Sequence, residues 1–202
     1  MIPCYIGGKG KAARDATKDF KVVVFEVLES TGLGYDTRYH YYRQQYPAMS
    51  REQFARMVCD PIEDYDREWP EYRARHRGSP SEEDLLTAFV WEKDNSFRNQ
   101  AQAAIVCYNE AGLGTGINSM RLLADGKPLL GFFLRDPPEG PVNVQNILQL
   151  KLLYPSLVTL VRYDNLREVA ESVRRWLTEL AEVSRGEPRP PSHRCGHEQG
   201  AQ

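Results

Sequence analysis

The chain reads as an α/β protein, a parallel sheet of about five strands with helices on both faces, and three observations predict this. Short, wholly apolar runs such as Ala104 to Tyr108 and Pro128 to Leu134 have the make-up of strands covered on both sides. Such runs alternate with helical periodicity along the chain. The first run enters Asn109-Glu110-Ala111-Gly112-Leu113-Gly114-Thr115-Gly116-Ile117-Asn118, a glycine-rich turn opening a short helix, and Gly126-Lys127 then leads into the second. That is a βαβ unit with its loop at a strand's carboxyl end, where open parallel sheets bind ligands.

In chain order, Pro3 to Gly7 is a strand ending in Gly7-Gly8, followed by the basic loop Lys9-Gly10-Lys11. From Ala16, apolar residues recur at Phe20, Val23, Val24, Val27 and Leu28. Val22 to Phe25 has strand propensity, but the stripe has the helical period, and Gly32 and Gly34 stop a helix in the expected way. Gly34 to Tyr39 returns as the second strand. Residues 36–77 then form an enlarged polar and aromatic excursion, with a capping signal at Ser50-Arg51-Glu52-Gln53. Nine aromatics between Tyr35 and Tyr72 favour an ordered lid over a disordered loop.

Ser79-Pro80 opens a long helix whose apolar stripe runs Leu86, Val90, Phe97, Ala101, with Asp94 on that stripe. The third strand is Ala104 to Tyr108, the fourth Pro128 to Leu134 and the fifth Leu157 to Tyr163. In the last helix Asn165 caps, Glu168 completes the box, and Leu166, Val169, Val173, Leu177 and Leu180 form the buried stripe.

With 202 residues, 41% apolar and 27% charged, the chain suits one core, expected over residues 1–185, with a disordered tail over 186–202. A net charge of −2 gives no general attraction for nucleic acid or anionic membranes. No segment approaches the roughly 20 apolar residues of a membrane span, so a cytoplasmic protein without membrane or nucleic-acid partners is expected. Cys4, Cys59, Cys107 and Cys195 are scattered, as reduced structural thiols are. His193, Cys195 and His197 lie on the tail, and no metal site is expected there.

Lys9 and Lys11 among glycines suit a phosphate, but the spacing of a nucleoside-triphosphate loop is missing. The cluster Tyr35, Arg38, Tyr39, Tyr41, Tyr42, Arg43 could stack on nucleic acid, yet acids interleave downstream, which favours an interface or lid.

Four stretches together resemble the nucleoside 2-deoxyribosyltransferase family and its relatives that hydrolyse nucleotide N-glycosidic bonds. Cys4-Tyr5-Ile6-Gly7-Gly8 is similar to the family's first strand and turn, and Asp94 stands where the family places a catalytic aspartate. Gly112 to Asn118 with Gly126-Lys127 looks like its glycine motif and helix. Pro141-Val142-Asn143-Val144 resembles a segment whose asparagine reaches a neighbouring subunit's site. The likeness covers about residues 3 to 165 and implies a Rossmann-like or flavodoxin-like fold, a homo-oligomer, and a nucleoside or nucleotide ligand with no cofactor. That ligand would lie across Tyr5, Gly7, Gly8, Asp94, Glu110, Gly114, Thr115, Gly116 and Asn118, with Asn143 contributed across an interface.

Cleaving a sugar–base bond needs stabilisation of an oxocarbenium-like centre and a proton for the departing base. The family's nucleophilic glutamate aligns with Asn118, an uncharged amide and a poor nucleophile. Three routes stay open. Glu110 substitutes as the carboxylate; or Asn118 orients water or sugar hydroxyls while Asp94 does acid–base work; or the site binds without turnover, as a nucleotide sensor. Each residue also has a plain reading. Asp94 also reads as a surface partner of Arg98, Thr115 as a cap for a helix beginning at Gly116, Gly114 and Gly116 as a tight turn, Asn143 as a turn residue and Tyr5 as strand packing.

Overall fold

A computed structural model describes residues 1–9, 15–50, 53, 62–76, 78, 81–136 and 144–184. Five strands, β1 (Ile2–Gly7), β2 (Gly34–Asp36), β3 (Ala103–Cys107), β4 (Leu129–Leu134) and β5 (Val158–Tyr163), pair in parallel in the order β2-β1-β3-β4-β5. This is the flavodoxin-like order, and it puts the topological switch point between β1 and β3. Every residue of β3 is buried, as are all but the last of β4, which is why these strands read as unbroken apolar runs.

Among the described residues seven helices connect or flank the strands: α1 (Asp15–Thr31), α2 (Thr37–Gln45), α3 (Ile62–Arg75), α4 (Glu82–Gln100), α5 (Leu113–Ala124), α6 (Val144–Leu153) and α7 (Leu166–Ser184). Helices α1 and α7 pack together, while α4 and α5 lie against β1 and, for α5, β3 and β4. Successive strand residues separate the two faces. Val106 lines one small crevice with Thr115, Ser119 and Leu122 of α5, whereas Cys107 lies beside Lys21 of α1 across Gly8. Helix α1 ends as expected, with Gly32 taking the left-handed φ of 63° that suits glycine beyond a helix C-terminus. In α7 the Asn165 side-chain Oδ1 accepts from the Glu168 backbone N–H at 3.2 Å, and the Glu168 carboxylate accepts from the Asp164 N–H at 3.1 Å.

Four expectations are corrected. The second strand stops at Asp36, because the Asp36 carboxylate accepts from the N–H groups of Arg38 (2.7 Å) and Tyr39 (3.1 Å) and so starts α2. The long helix begins at Glu82 with Ser81 as its cap, and it buries Leu85, Phe89, Phe97 and Arg98; Leu86 is exposed. Helix α5 begins at Leu113 with Gly112 as cap residue, so Thr115 is an interior residue, not the cap. For the same reason Gly114 and Gly116 belong to the helix and not to a tight turn. The Ser50 capping signal is present, with Gln53 N–H donating to Ser50 Oγ at 3.1 Å and Ser50 N–H to Gln53 Oε1 at 2.9 Å. Ser79, Pro80, Asn143 and the tail with His193, Cys195 and His197 lie outside the described residues.

Candidate functional site

Three elements converge where β1 and β3 end. Strand β1 delivers Tyr5, 3% exposed, and then Gly7 and Gly8. A Cβ on Gly8, whose φ is 137°, would sit 3.2 Å from the Cys107 Cβ, so glycine is required for the two strand ends to lie this close. Helix α5 presents Thr115, Asn118 and Ser119, spaced to share one face. The last turns of α4 supply Asp94, Asn95 and Arg98.

Asn118 is the hub of this cluster. Its Nδ2 donates to the Tyr5 hydroxyl at 3.1 Å and lies 3.5 Å from Asp94 Oδ2, and its Oδ1 accepts from the Arg98 guanidinium. Arg98, 4% exposed, also reaches Asn95 Oδ1 at 3.4 Å, to which Arg121 donates at 3.2 Å. Arg38 of α2 stands 5.0 Å from the centre of the Tyr5 ring. Burial raises the Tyr5 phenol above its ordinary value; Arg38 opposes this and Asp94 adds to it. Burial likewise lowers Arg98, against the pull of Tyr5 and Asp94.

Sequence reasoning therefore named Tyr5, Asp94 and Asn118, and the fold brings them together. It passed over Arg98 except as a surface partner of Asp94, because arginine is rarely a core residue. It passed over Asn95 and Arg121 altogether, and it named Arg38 only within the tyrosine-rich cluster, as part of an interface or lid. The available signal was Arg98's place one turn beyond Asp94, on the same helix face.

Glu110 occupies a different part of the edge. It accepts from the Thr17 hydroxyl at 2.6 Å and from Lys9 Nζ at 3.3 Å, while the buried Lys21 Nζ donates to the Lys9 carbonyl at 2.7 Å. The loop carrying Glu110 is fixed from below: Asn109 accepts from the Leu134 N–H at 2.8 Å and donates to the Tyr163 hydroxyl at 2.6 Å. Tyr108 shares a 2.8 Å hydrogen bond with Ser119, which in turn donates to the Thr115 carbonyl.

Two spaces adjoin these groups. The crevice among Tyr5, Gly7, Gly8, Thr115 and Asn118 has no room for a water molecule. Small-molecule pockets begin at roughly 300 Å³, so the expected cavity for a ribose and its base is closed in this conformation. An open cleft of about 960 Å³ lies on the other side of α5, bordered by Glu110, Gly112, Gly116, Ile117 and α6. A Cβ on Gly112, Gly114 or Gly116 would meet nothing within 4 Å, so packing does not require glycine at these positions.

Among the described residues no grouping of His, Cys, Asp and Glu is arranged to hold a metal ion, and no helix is long and apolar enough to cross a membrane. Compared with models of known families and with curated proteins, the chain matches none.

Proposed function

We propose that the chain binds a nucleoside or nucleotide at the carboxyl edge of β1 and β3 and hydrolyses the bond between sugar and base. The observation that carries this reading is the meeting of Asp94, Asn118 and the Tyr5 hydroxyl at the topological switch point. Asp94 is the group for proton transfer: as a carboxylate it accepts a proton from the attacking water as the water oxygen bonds to C1′ and the C1′–nitrogen bond breaks. The base leaves with the bonding electron pair and takes up a proton from solvent. Asn118 orients the water or the sugar hydroxyls, and Tyr5 offers its hydroxyl and ring. Because an amide is a poor nucleophile, direct attack by water is favoured over sugar transfer through a covalent intermediate. Ligand entry requires Asn118 and its neighbours to move, since the crevice is closed.

A second reading, binding without turnover as a nucleotide sensor, is favoured by one observation. The Arg98 guanidinium is bonded to Asn118, and a cation there opposes positive charge developing at C1′. Incubation with nucleosides, nucleoside monophosphates and a dinucleotide, read by chromatography for free base beside a thermal-shift screen, separates the two. Base released by the native chain and lost in Asp94→Ala supports hydrolysis. A thermal shift without base release, with release appearing only in Asn118→Glu, supports the sensor.

A further inference from the structure

An arginine buried as deeply as Arg98 is ordinarily paired with a carboxylate. Among the described residues Arg98 forms no ion pair, and its donors end on two neutral amides, Asn118 Oδ1 and Asn95 Oδ1. The same Asn95 oxygen takes a second cation, because Arg121 of α5 donates to it at 3.2 Å. Arg121 likewise forms no ion pair among the described residues; its guanidinium carbon stands 5.1 Å from the centre of the Trp91 ring. Two like charges thus share one neutral oxygen, whose two lone pairs are both spent on cations. Burial is the first cause that lowers the Arg98 guanidinium; Tyr5 and Asp94 oppose it, and the charges of Arg121 and Arg38 add to it. The seam between α4 and α5 is short of negative charge.

We propose that the Arg98–Arg121 pair on this seam is a binding site for a phosphate group. Three features suit that chemistry. Guanidinium forks match oxyanions bidentately, and two guanidiniums meeting on one amide oxygen bring both forks within reach of a single tetrahedral anion. Donors remain to hold it, since a guanidinium carries five N–H groups and Arg121 donates only to Asn95 among the described residues. The site is also reachable: Arg121 is half-buried and Trp91 beside it is 50% exposed, so an ion meets Arg121 without the core opening. Arg98 is bonded to Asn118 as well, which places the seam one side chain away from the proposed nucleoside site. The phosphate is therefore either a free ion beside that site or a group carried by the ligand within it. The proposal is read by binding and not by base release, so it stands or falls apart from the hydrolytic reading.

The test is titration calorimetry of the full chain at constant ionic strength with inorganic phosphate, with a nucleoside monophosphate and with the parent nucleoside. Saturable binding of a phosphate-bearing probe is expected, weakened about tenfold or more in Arg121→Met with the far-ultraviolet circular dichroism retained. Arg121→Lys should fall between the two, because an ammonium keeps the charge and loses the fork. Equal affinities for inorganic phosphate and the monophosphate, both lost in Arg121→Met, assign the site to a free ion. A monophosphate that binds more tightly than either inorganic phosphate or the nucleoside, and loses that advantage in Arg121→Met, assigns the phosphate to the larger ligand. The proposal is overturned if neither phosphate-bearing probe binds the native chain, if Arg121→Met leaves their binding unchanged, or if chloride at the same ionic strength reproduces the heat.

Discussion

Arg98 in the last turn of α4 donates its guanidinium to the amide oxygen of Asn118 in α5, tying together two helices that pack on the same face of the sheet. The same amide donates to Tyr5 and approaches Asp94, so Asn118 joins both helices to β1. Removing it strands a buried guanidinium. Asn118→Leu is expected to cost about 2–3 kcal/mol, read as a lower midpoint in urea unfolding. In the double variant Asn118→Leu/Arg98→Met most of that loss should return, giving a coupling energy of about 1 kcal/mol or more in the double-mutant cycle. Strict additivity would deny the pairing.

Two glycine substitutions should act in opposite directions. A Cβ on Gly131 would fall 2.7 Å from both the Leu160 Cδ2 and the Tyr108 ring, in the middle of the buried β4. Gly131→Ala should therefore destabilise by about 1–3 kcal/mol and disturb the Tyr108–Ser119 bond. Gly116→Ala lies in α5 with open space around it, and it should stabilise the unliganded protein by about 0.5–1 kcal/mol. If a ligand approaches the α5 backbone, the same methyl should weaken its binding at least tenfold in titration calorimetry, while unchanged binding would place the ligand elsewhere.

The contrast between these glycines shows what the sequence could convey. Strands β3 and β4 were legible because a parallel sheet buried on both faces imposes continuous apolar runs, and the α7 capping box because its side-chain pattern is local, whereas the pairing order of the strands is not written in any local run. Helix α2 was not legible: Thr-Arg-Tyr-His-Tyr-Tyr-Arg-Gln-Gln has no aliphatic stripe, and its tyrosines are held by edge contacts, Tyr41 to Phe97 at 5.5 Å and Tyr39 to Phe25 at 5.0 Å. On α4 the stripe was displaced, since Leu85 and Phe89 face Tyr72 and Trp69 of α3, a partner that only the fold supplies. At the site, Asp94 drew notice by its place on the helix stripe and through the family resemblance, and Asn118 through that resemblance alone. The engagement of Arg98 depends on the packing of α4 beside α5, and no local pattern encodes that.

Stability should fall in alkali. Burial holds the Cys107 thiol up at about 11, against an ordinary 9.0, with the Asn109 N–H and the Thr17 hydroxyl opposing the shift. Burial likewise pushes the Tyr108 phenol to about 12. Both groups are raised in the folded state, so their contribution is complete below the unfolded values and is lost as pH rises through the folded ones. Unfolding free energy should hold steady up to about pH 9 and then drop by about 4 kcal/mol towards pH 11. Cys107→Ala should flatten the first part of that slope in urea titrations at stepped pH; an identical slope in the variant would assign it to other groups.

The central claim is that Asp94 and Asn118 serve one ligand. It is tested most directly by the rate of free-base release from nucleosides and nucleoside monophosphates, measured for the native chain and for Asp94→Ala under conditions where both are folded. The account predicts release by the native chain and a fall of about a hundredfold or more in the variant, the scale on which loss of a proton-transfer group acts. Release that Asp94→Ala leaves intact, or a native chain that neither releases base nor binds any member of the panel, would contradict it.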